Sequence, residues 1–277
     1  MSLEAGWGLR VLVRGGGDLA SGSILRLARA GWQVLLVELP HPRSVRRTVS
    51  FSQAVYDGEV RVEDVTARRV DHLAGAQQVW QAGALPVLVD PEAAARHEFQ
   101  PQVILDARMR KRPPELGKEA APLVIGLGPG FQAGIDCHAV IETNRGPFLG
   151  RVIWEGSAEA DTGLPEGVGG MSAERVLRAP LDGVLWAVAQ IGDRLHAGDL
   201  IAEVDGLAIS APFTGVLRGL AQNGLAVRAG EKVGDLDSRN DPRLCWLVSD
   251  KALAVGGGVL EAVLAYPPFR SNPPWRR

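Results

Sequence analysis

Three consecutive glycines open the chemistry of this chain. Gly15, Gly16, Gly17, Asp18, Leu19 and Ala20 fit the pattern G-x-G-x-x-G/A. The pattern follows the apolar run Arg10–Arg14 and precedes a segment with helical spacing. In dinucleotide-binding turns such glycines allow a tight bend and close backbone approach, and the helix start offers amides to a phosphate. Glu38 ends the next apolar run, where that fingerprint places an acid for ribose hydroxyls. An acid there favours NAD over NADP by repelling a 2′-phosphate. Arg43, Arg46 and Arg47 follow closely; they would reverse that preference, or lie solvated. A turn that only packs a helix on a sheet is the competing explanation.

A second glycine loop, with Gly126, Gly128 and Gly130, ends the apolar stretch 122–125. In an open α/β sheet ligands collect at the carboxyl ends of strands, so both loops should face one crevice. Pro129 is equally at home in a simple turn. The basic run 108–112 would contact an anion at the same edge, or remain in solvent. Gly256, Gly257 and Gly258 read as a third turn before a short helix at 259–265, serving either as an amide cluster or for close helix packing.

The segment 134–150 gathers Asp136, Cys137, His138, Glu142, Asn144 and Arg145. Cys137 is the candidate catalytic thiol. His138 is badly placed as its base, because adjacent residues of a strand point to opposite faces. A small buried hydrophobe is the commoner role of such a cysteine. The five histidines and two cysteines show no ligand pair at zinc spacing, so no metal site is expected.

The elements that must position these groups alternate. Strands are expected at 10–14, 33–38, 59–62, 85–89, 102–105 and 123–127, with helices at 21–30, 70–82 and 91–97. This order predicts right-handed βαβ units and a Rossmann-like parallel sheet. Further strands are expected at 152–154 and 244–248, with a polar loop at 158–170.

Composition limits the alternatives. The chain has 277 residues, 46% hydrophobic and 22% charged, as in folded chains of one to two domains. The net charge of −2 gives no positive field for nucleic acid. No apolar run is long enough to span a membrane. Residues 1–8 lack the basic and apolar regions of a signal peptide. Two cysteines make no disulfide framework, so a reduced, cytoplasmic setting is expected.

The second half repeats itself with a shift of 32 residues. Ala179-Pro180 matches Ala211-Pro212, Gly183-Val184-Leu185 matches Gly215-Val216-Leu217, and Gly192 and Gly198 match Gly224 and Gly230. Short strands with glycine turns predict an all-β module. The pattern resembles the biotinyl/lipoyl-like barrel-sandwich domain over about 176–237. Carrier domains of that kind hold an acceptor lysine on the hairpin between halves. Here that hairpin is near Val204-Asp205-Gly206-Leu207, and the four lysines, Lys111, Lys118, Lys232 and Lys251, lie elsewhere. Covalent biotin or lipoyl is therefore not expected.

Six segments carry a broader likeness: VRGGGDLASG (13–22), RRTVSFSQAVY (46–56), VIGLGPGFQAGIDCHAVIETNRG (124–146), LGRVIWEG (149–156), VLRAPLDG (176–183) and SDKALAVGGGVLEAVL (249–264). Together they resemble the YqeB-type accessory family of selenium-dependent molybdenum hydroxylases. The N-terminal half is similar to the Rossmann domain of xanthine dehydrogenase accessory factors (XdhC-like). The resemblance implies a role in maturing a molybdenum hydroxylase client and supplies no catalytic residues. The expected fold class is thus a Rossmann-like parallel sheet plus a small all-β barrel-sandwich domain. Its divisions are 1–147, a β connector at 148–175, the barrel at 176–237, a strand and helix at 238–266, and a flexible tail at 267–277. The expected ligand is small and anionic, either NAD(P) or another nucleotide, or the phosphorylated molybdenum cofactor. Self-association is compatible with this reading. The alternatives are an NAD(P)-dependent oxidoreductase, for which no proton relay stands out, and a scaffold with no small ligand.

Overall fold

The computed structural model describes residues 8–109, 114–160 and 173–269. Residues 1–7, residues 110–112 of the basic run, most of the loop 158–170 and the tail beyond 269 lie outside them.

Short β-branched and leucine-rich runs form nine strands of one sheet. They are β1 (Arg10–Arg14), β2 (Gln33–Glu38), β3 (Glu59–Val62), β4 (Val65–Val70), β5 (Leu85–Val89), β6 (Val103–Asp106), β7 (Leu123–Leu127), β8 (Ala139–Ile141) and β9 (Val152–Ile153). Their order is β3-β4-β5-β2-β1-β6-β7-β8-β9. Neighbours from β4 through β8 pair in parallel, but β3 pairs antiparallel with β4, and β9 with β8. Alternate residues face opposite ways. Val11 and Val13 enter one core and Leu12 the other.

This corrects the expected fold class. The Rossmann-like, wholly parallel sheet with a biotinyl/lipoyl-like barrel is replaced by a large mixed sheet and two antiparallel sheets. The reason is visible at both edges: residues 63–64 join β3 to β4 and residues 142–151 join β8 to β9, each connection shorter than a crossover helix needs. Residues 65–70 form a strand not expected from the sequence, and the helix expected at 70–82 is shortened to a 3₁₀ turn at 73–75 and an α-helix at 76–81. Helical cover is also uneven. α1 (Asp18–Arg29) has 12 residues, whereas α2 (Ala54–Asp57), α3 (Ala76–Gln81) and α4 (Arg96–Phe99) have four to six.

The remaining long helix, α5 (Asp250–Ala265), corrects two local expectations. It runs unbroken through Gly256, Gly257 and Gly258, which therefore make no turn. Residues 242–245 form a 3₁₀ turn instead of a strand. Two of these glycines, with Gly22 of α1, are a packing seam. A Cβ on Gly22 would lie 2.0 Å from the Ala252 carbonyl oxygen, and one on Gly256 would lie 2.4 Å from that of Gly22. One on Gly258 would lie 2.1 Å from the Gly150 carbonyl oxygen. Backbone meets backbone, and no side chain larger than hydrogen fits. Ser249 caps the helix by accepting from the Ala252 amide.

The repeated half forms two four-stranded sheets. Its strands are β10 (Val176–Arg178), β11 (Gly183–Ala187), β12 (Arg194–Leu195), β13 (Leu200–Val204), β14 (Leu207–Ser210), β15 (Gly215–Leu220), β16 (Ala226–Val227) and β17 (Lys232–Asp237). The orders are β10-β17-β15-β12 and β14-β13-β11-β16. The 32-residue shift carries one order onto the other. It also carries one hydrogen bond onto another: Gly192 donates to Leu217 and Gly224 to Leu185, each at 2.8 Å. Likewise Gly198 donates to Ala211 and Gly230 to Ala179. The repeated glycines are the places where the two copies hold each other.

Gly22→Val should lower unfolding free energy by about 3 kcal/mol, because overpacking here meets main chain. Gly257→Ala should raise it by about 0.5–1 kcal/mol, since the nearest atom to its Cβ position is Arg26 Nε at 4.0 Å. Urea melts of both variants test the seam; equal effects would contradict it.

Candidate functional site

β1 delivers the chain into the triple-glycine turn. The Gly15 amide donates to Val37 at 2.9 Å, with φ at +89°. The Gly16 amide donates to Glu38 Oε2 at 2.8 Å, and the Leu39 amide to Glu38 Oε1 at 2.7 Å. A Cβ on Gly16 would lie 2.6 Å from Leu36 Cδ2 and 2.9 Å from the Ser52 nitrogen. One buried carboxylate thus ties the turn to the end of β2. Burial pushes the Glu38 carboxyl above the usual carboxylate range, and the two amides oppose that rise. Glu38 is therefore engaged with main chain on both oxygens.

Gly17 differs from its neighbours. It is the N-cap of α1, with φ −68° and ψ 178°, and no side chain among the described residues caps the helix. The first amides of a helix have no partner within it. Here they border a cleft of about 580 Å³, which Gly17, Asp18, Leu19 and Ala20 line together with Gly15 and Glu38. The other lining residues are Leu39, Pro42, Arg43 and Ser44 after β2, Pro91 and Glu92 after β5, and Ala107, Arg108, Met109 and Glu115 after β6. Leu39 and Met109 are exposed apolar side chains within it.

Most charged side chains of the cleft are engaged, largely by groups around it. Arg108 Nε donates to Asp106 Oδ1 at 2.9 Å, and its Nη2 donates to Glu115 at 2.8 Å. The buried Arg14 also donates to Asp106, at 3.1 Å. Arg46 holds the Asp18 carboxylate through both oxygens, at 3.0 and 2.9 Å. The start of α1 contributes the helix dipole's positive end to the open space.

The other sequence-derived candidates sit differently. Gly126, Gly128 and Gly130 are not among the cleft's lining residues. A Cβ on Gly126 would lie 2.3 Å from the Phe131 ring, and one on Gly128 would lie 2.5 Å from Thr143 Oγ1 and 3.1 Å from Met109 Cε. Met109 therefore stands between the two glycine loops. Arg43 and Arg47 turn to the repeated half, Arg43 to Glu231 and Arg47 to the Leu220 carbonyl, whereas Arg46 joins Asp18 to the Leu244 and Leu247 carbonyls between that half and α5.

Cys137 is fully buried, and its thiol donates to the Ala139 carbonyl at 3.3 Å. Burial pushes this thiol up to about 12, so the side chain behaves as a packed hydrophobe. His138 Nδ1 accepts from the Val124 amide at 3.0 Å, and burial lowers its pKa. Glu142 accepts from the amides of Thr143, Asn144 and Glu159, each at 2.7 Å. The polar segment 134–150 is loop stitching. Among the described residues no group of three His, Cys, Asp or Glu is placed to hold a metal ion. No helix among them is long and apolar enough to cross a membrane.

The sequence reading missed the far wall of the cleft. Leu39, Ser44, Pro91, Ala107, Met109 and Glu115 share one signal, their position just beyond the ends of parallel strands.

No family model matches the chain. It is similar to the uncharacterized protein YqeB of Escherichia coli, with 47% identity over 254 residues. That alignment covers 92% of this chain and 47% of YqeB, so the chain spans about half the length of this relative. The similarity supports the YqeB-type likeness read from the sequence. Two solved structures are distantly similar. An aspartoacylase family protein of Mesorhizobium loti has 10% identity and a TM-score of 0.27, covering 83% of this chain and 85% of that one. The ectoine utilization protein EutE (DoeB) of Ruegeria pomeroyi has 11% identity and a TM-score of 0.26, covering 83% and 86%. Likenesses this remote carry no argument here.

Glu38→Ala leaves the buried Gly16 amide unpaired and should cost about 1–3 kcal/mol. Glu38→Gln keeps an acceptor and should cost less. Denaturant melts would show that order; equal losses would mean the carboxylate does not hold the turn. Cys137 should resist iodoacetamide at pH 8 in the folded protein and react in urea. Rapid labelling of the folded protein would contradict its burial.

Proposed function

We propose that this chain binds a phosphate-bearing small molecule in the cleft at the start of α1. We infer from the YqeB-type likeness that it does so in support of a molybdenum hydroxylase. The observation that carries the binding reading is the uncapped start of α1, open to a cleft large enough for a nucleotide-sized ligand. Pockets for such ligands are mostly 300–1,000 Å³ and combine apolar walls with a few directed polar groups. Amides and dipole suit a phosphate. Leu39, Pro42, Pro91 and Met109 suit the face of a planar ring.

A nucleotide and a phosphorylated pterin cofactor both meet this description. The chain's own residues would hold the phosphate at Gly17 to Ala20 and the ring between Leu39 and Met109. Neither cysteine lines the cleft, so the cleft itself offers no thiolate. A bound molybdenum cofactor would supply its own metal centre and dithiolene chemistry; this chain's part is to hold and orient it. The oxidoreductase alternative would use Glu38 for ribose hydroxyls; each of its oxygens already accepts one main-chain amide and keeps capacity for a second donor.

Thermal melts with NAD, NADP, ATP, GTP and a phosphorylated pterin should rise with at least one of them, because a ligand that binds only the folded state stabilises it. Gly17→Phe should abolish that rise while leaving the unliganded melt within about 2 °C, a surface-like effect. Its backbone angles suit any residue, and only Ser44 Oγ lies near its Cβ position, at 3.4 Å. No rise with any compound would favour a scaffold. A rise that survives Gly17→Phe would place the ligand elsewhere.

A further inference from the structure

Arg43 belongs to two places at once. It lines the cleft beside Ser44. Its guanidinium also grips the turn between β16 and β17: Nε donates to Glu231 Oε1 at 2.7 Å, and Nη2 to Glu231 Oε2 at 2.7 Å and to the Ala226 carbonyl at 2.8 Å. Glu231 in turn accepts from the Arg228 amide at 3.0 Å. The next residues bind the same half firmly. Val45 accepts from the Leu220 amide at 2.9 Å, and Arg47 donates to the Leu220 carbonyl at 2.7 Å. A strap at 42–47 therefore has one end in the cleft and the other on β15.

The two ends differ in how easily they can be moved. Arg46 is buried, whereas the Arg43 and Glu231 side chains remain 43% and 27% exposed. An exposed ion pair adds little in water. A tetrahedral phosphate also offers a guanidinium two oxygens for a bidentate contact, and it carries more charge. Ser44 Oγ, 3.4 Å from the Cβ position of Gly17, puts this part of the strap beside the start of α1.

We propose that Arg43 is a ligand-responsive latch: a phosphate-bearing ligand in the cleft draws its guanidinium from Glu231 and frees the 226–231 turn of the antiparallel half. The claim rests on the cleft being the ligand site and adds a consequence to it. Occupancy is signalled to the surface of the repeated half, where a client could read it. Because such coupling is reciprocal, weakening the latch must also favour the ligand.

The experiment uses the full chain, with inorganic pyrophosphate and ADP as probes. Calorimetric titration of the unsubstituted protein, Glu231→Gln and Arg43→Gln is paired with hydrogen exchange of residues 226–231. Glu231→Gln keeps an acceptor for the Arg228 amide, and its thermal melt checks folding. Glu231→Gln should bind about two- to fivefold tighter, and Arg43→Gln about tenfold weaker. In the unsubstituted protein exchange at 226–231 should quicken on binding. In Arg43→Gln it should already be fast and unmoved by the probe. If a probe binds but Glu231→Gln changes neither affinity nor exchange, the latch is overturned and the cleft reading stands. If neither probe binds the unsubstituted protein, the cleft reading falls, and the latch with it.

Discussion

The close approach of α1 and α5 is the constraint on which the rest of the structure depends. Gly22 and Gly256 let two helix backbones touch, far apart in sequence and with no side chain between them. Gly150, at φ +77°, completes the contact from the loop before β9, where its own Cβ would meet the Ala254 carbonyl oxygen at 2.6 Å. The seam sets where α1 lies on the sheet, and so where its first amides point. Arg26 reinforces it by donating to the Leu253 carbonyl at 2.9 Å. A helix so fixed can present a free N-terminus without drifting to cap it, which is what a preorganised anion seat needs.

A second constraint acts in the turn that leads into α1. Glu38 spends its carboxylate on the Gly16 and Leu39 amides, joining the turn after β1 to the loop after β2. The division of labour among the glycines follows. Gly15 supplies a positive φ, Gly16 supplies room against Leu36 and Ser52, and Gly17 has only Ser44 Oγ near its Cβ position. The turn is therefore partly capped from within and partly open. Only the open part has binding to offer. The paired arginines around it leave the helix start as the directed positive feature.

Much of this was legible in the sequence, for identifiable reasons. Strands β1, β2, β5 and β7 are short runs of branched apolar residues bounded by glycine or polar breaks, and they appear where that pattern places them. The 32-residue repeat foretold paired β elements because the repeated glycines carry the reciprocal hydrogen bonds. What was illegible depended on partners distant in the chain. Gly256 to Gly258 read locally as a turn, because their purpose is set by Gly22 and Gly150. Residues 65–70 are too polar to read as a strand alone, yet β5 and the β3 hairpin pair with them on both sides. Arg43, Arg46 and Arg47 looked like a solvated or phosphate-selecting run. Apart from Asp18, which Arg46 grips, their acceptors lie in the second half, beyond the reach of spacing arguments. Met109 and Leu39 carry no motif, and only the sheet's topology brings them to one cleft.

The central claim is that the amides at the start of α1 seat a phosphate. A crystal structure of the full chain grown with pyrophosphate addresses it most directly. The account places a phosphate group within hydrogen-bonding distance of the Leu19 and Ala20 amides, beside Ser44. Pyrophosphate ordered elsewhere, with that helix start contacted only by solvent at saturating concentration, would contradict it.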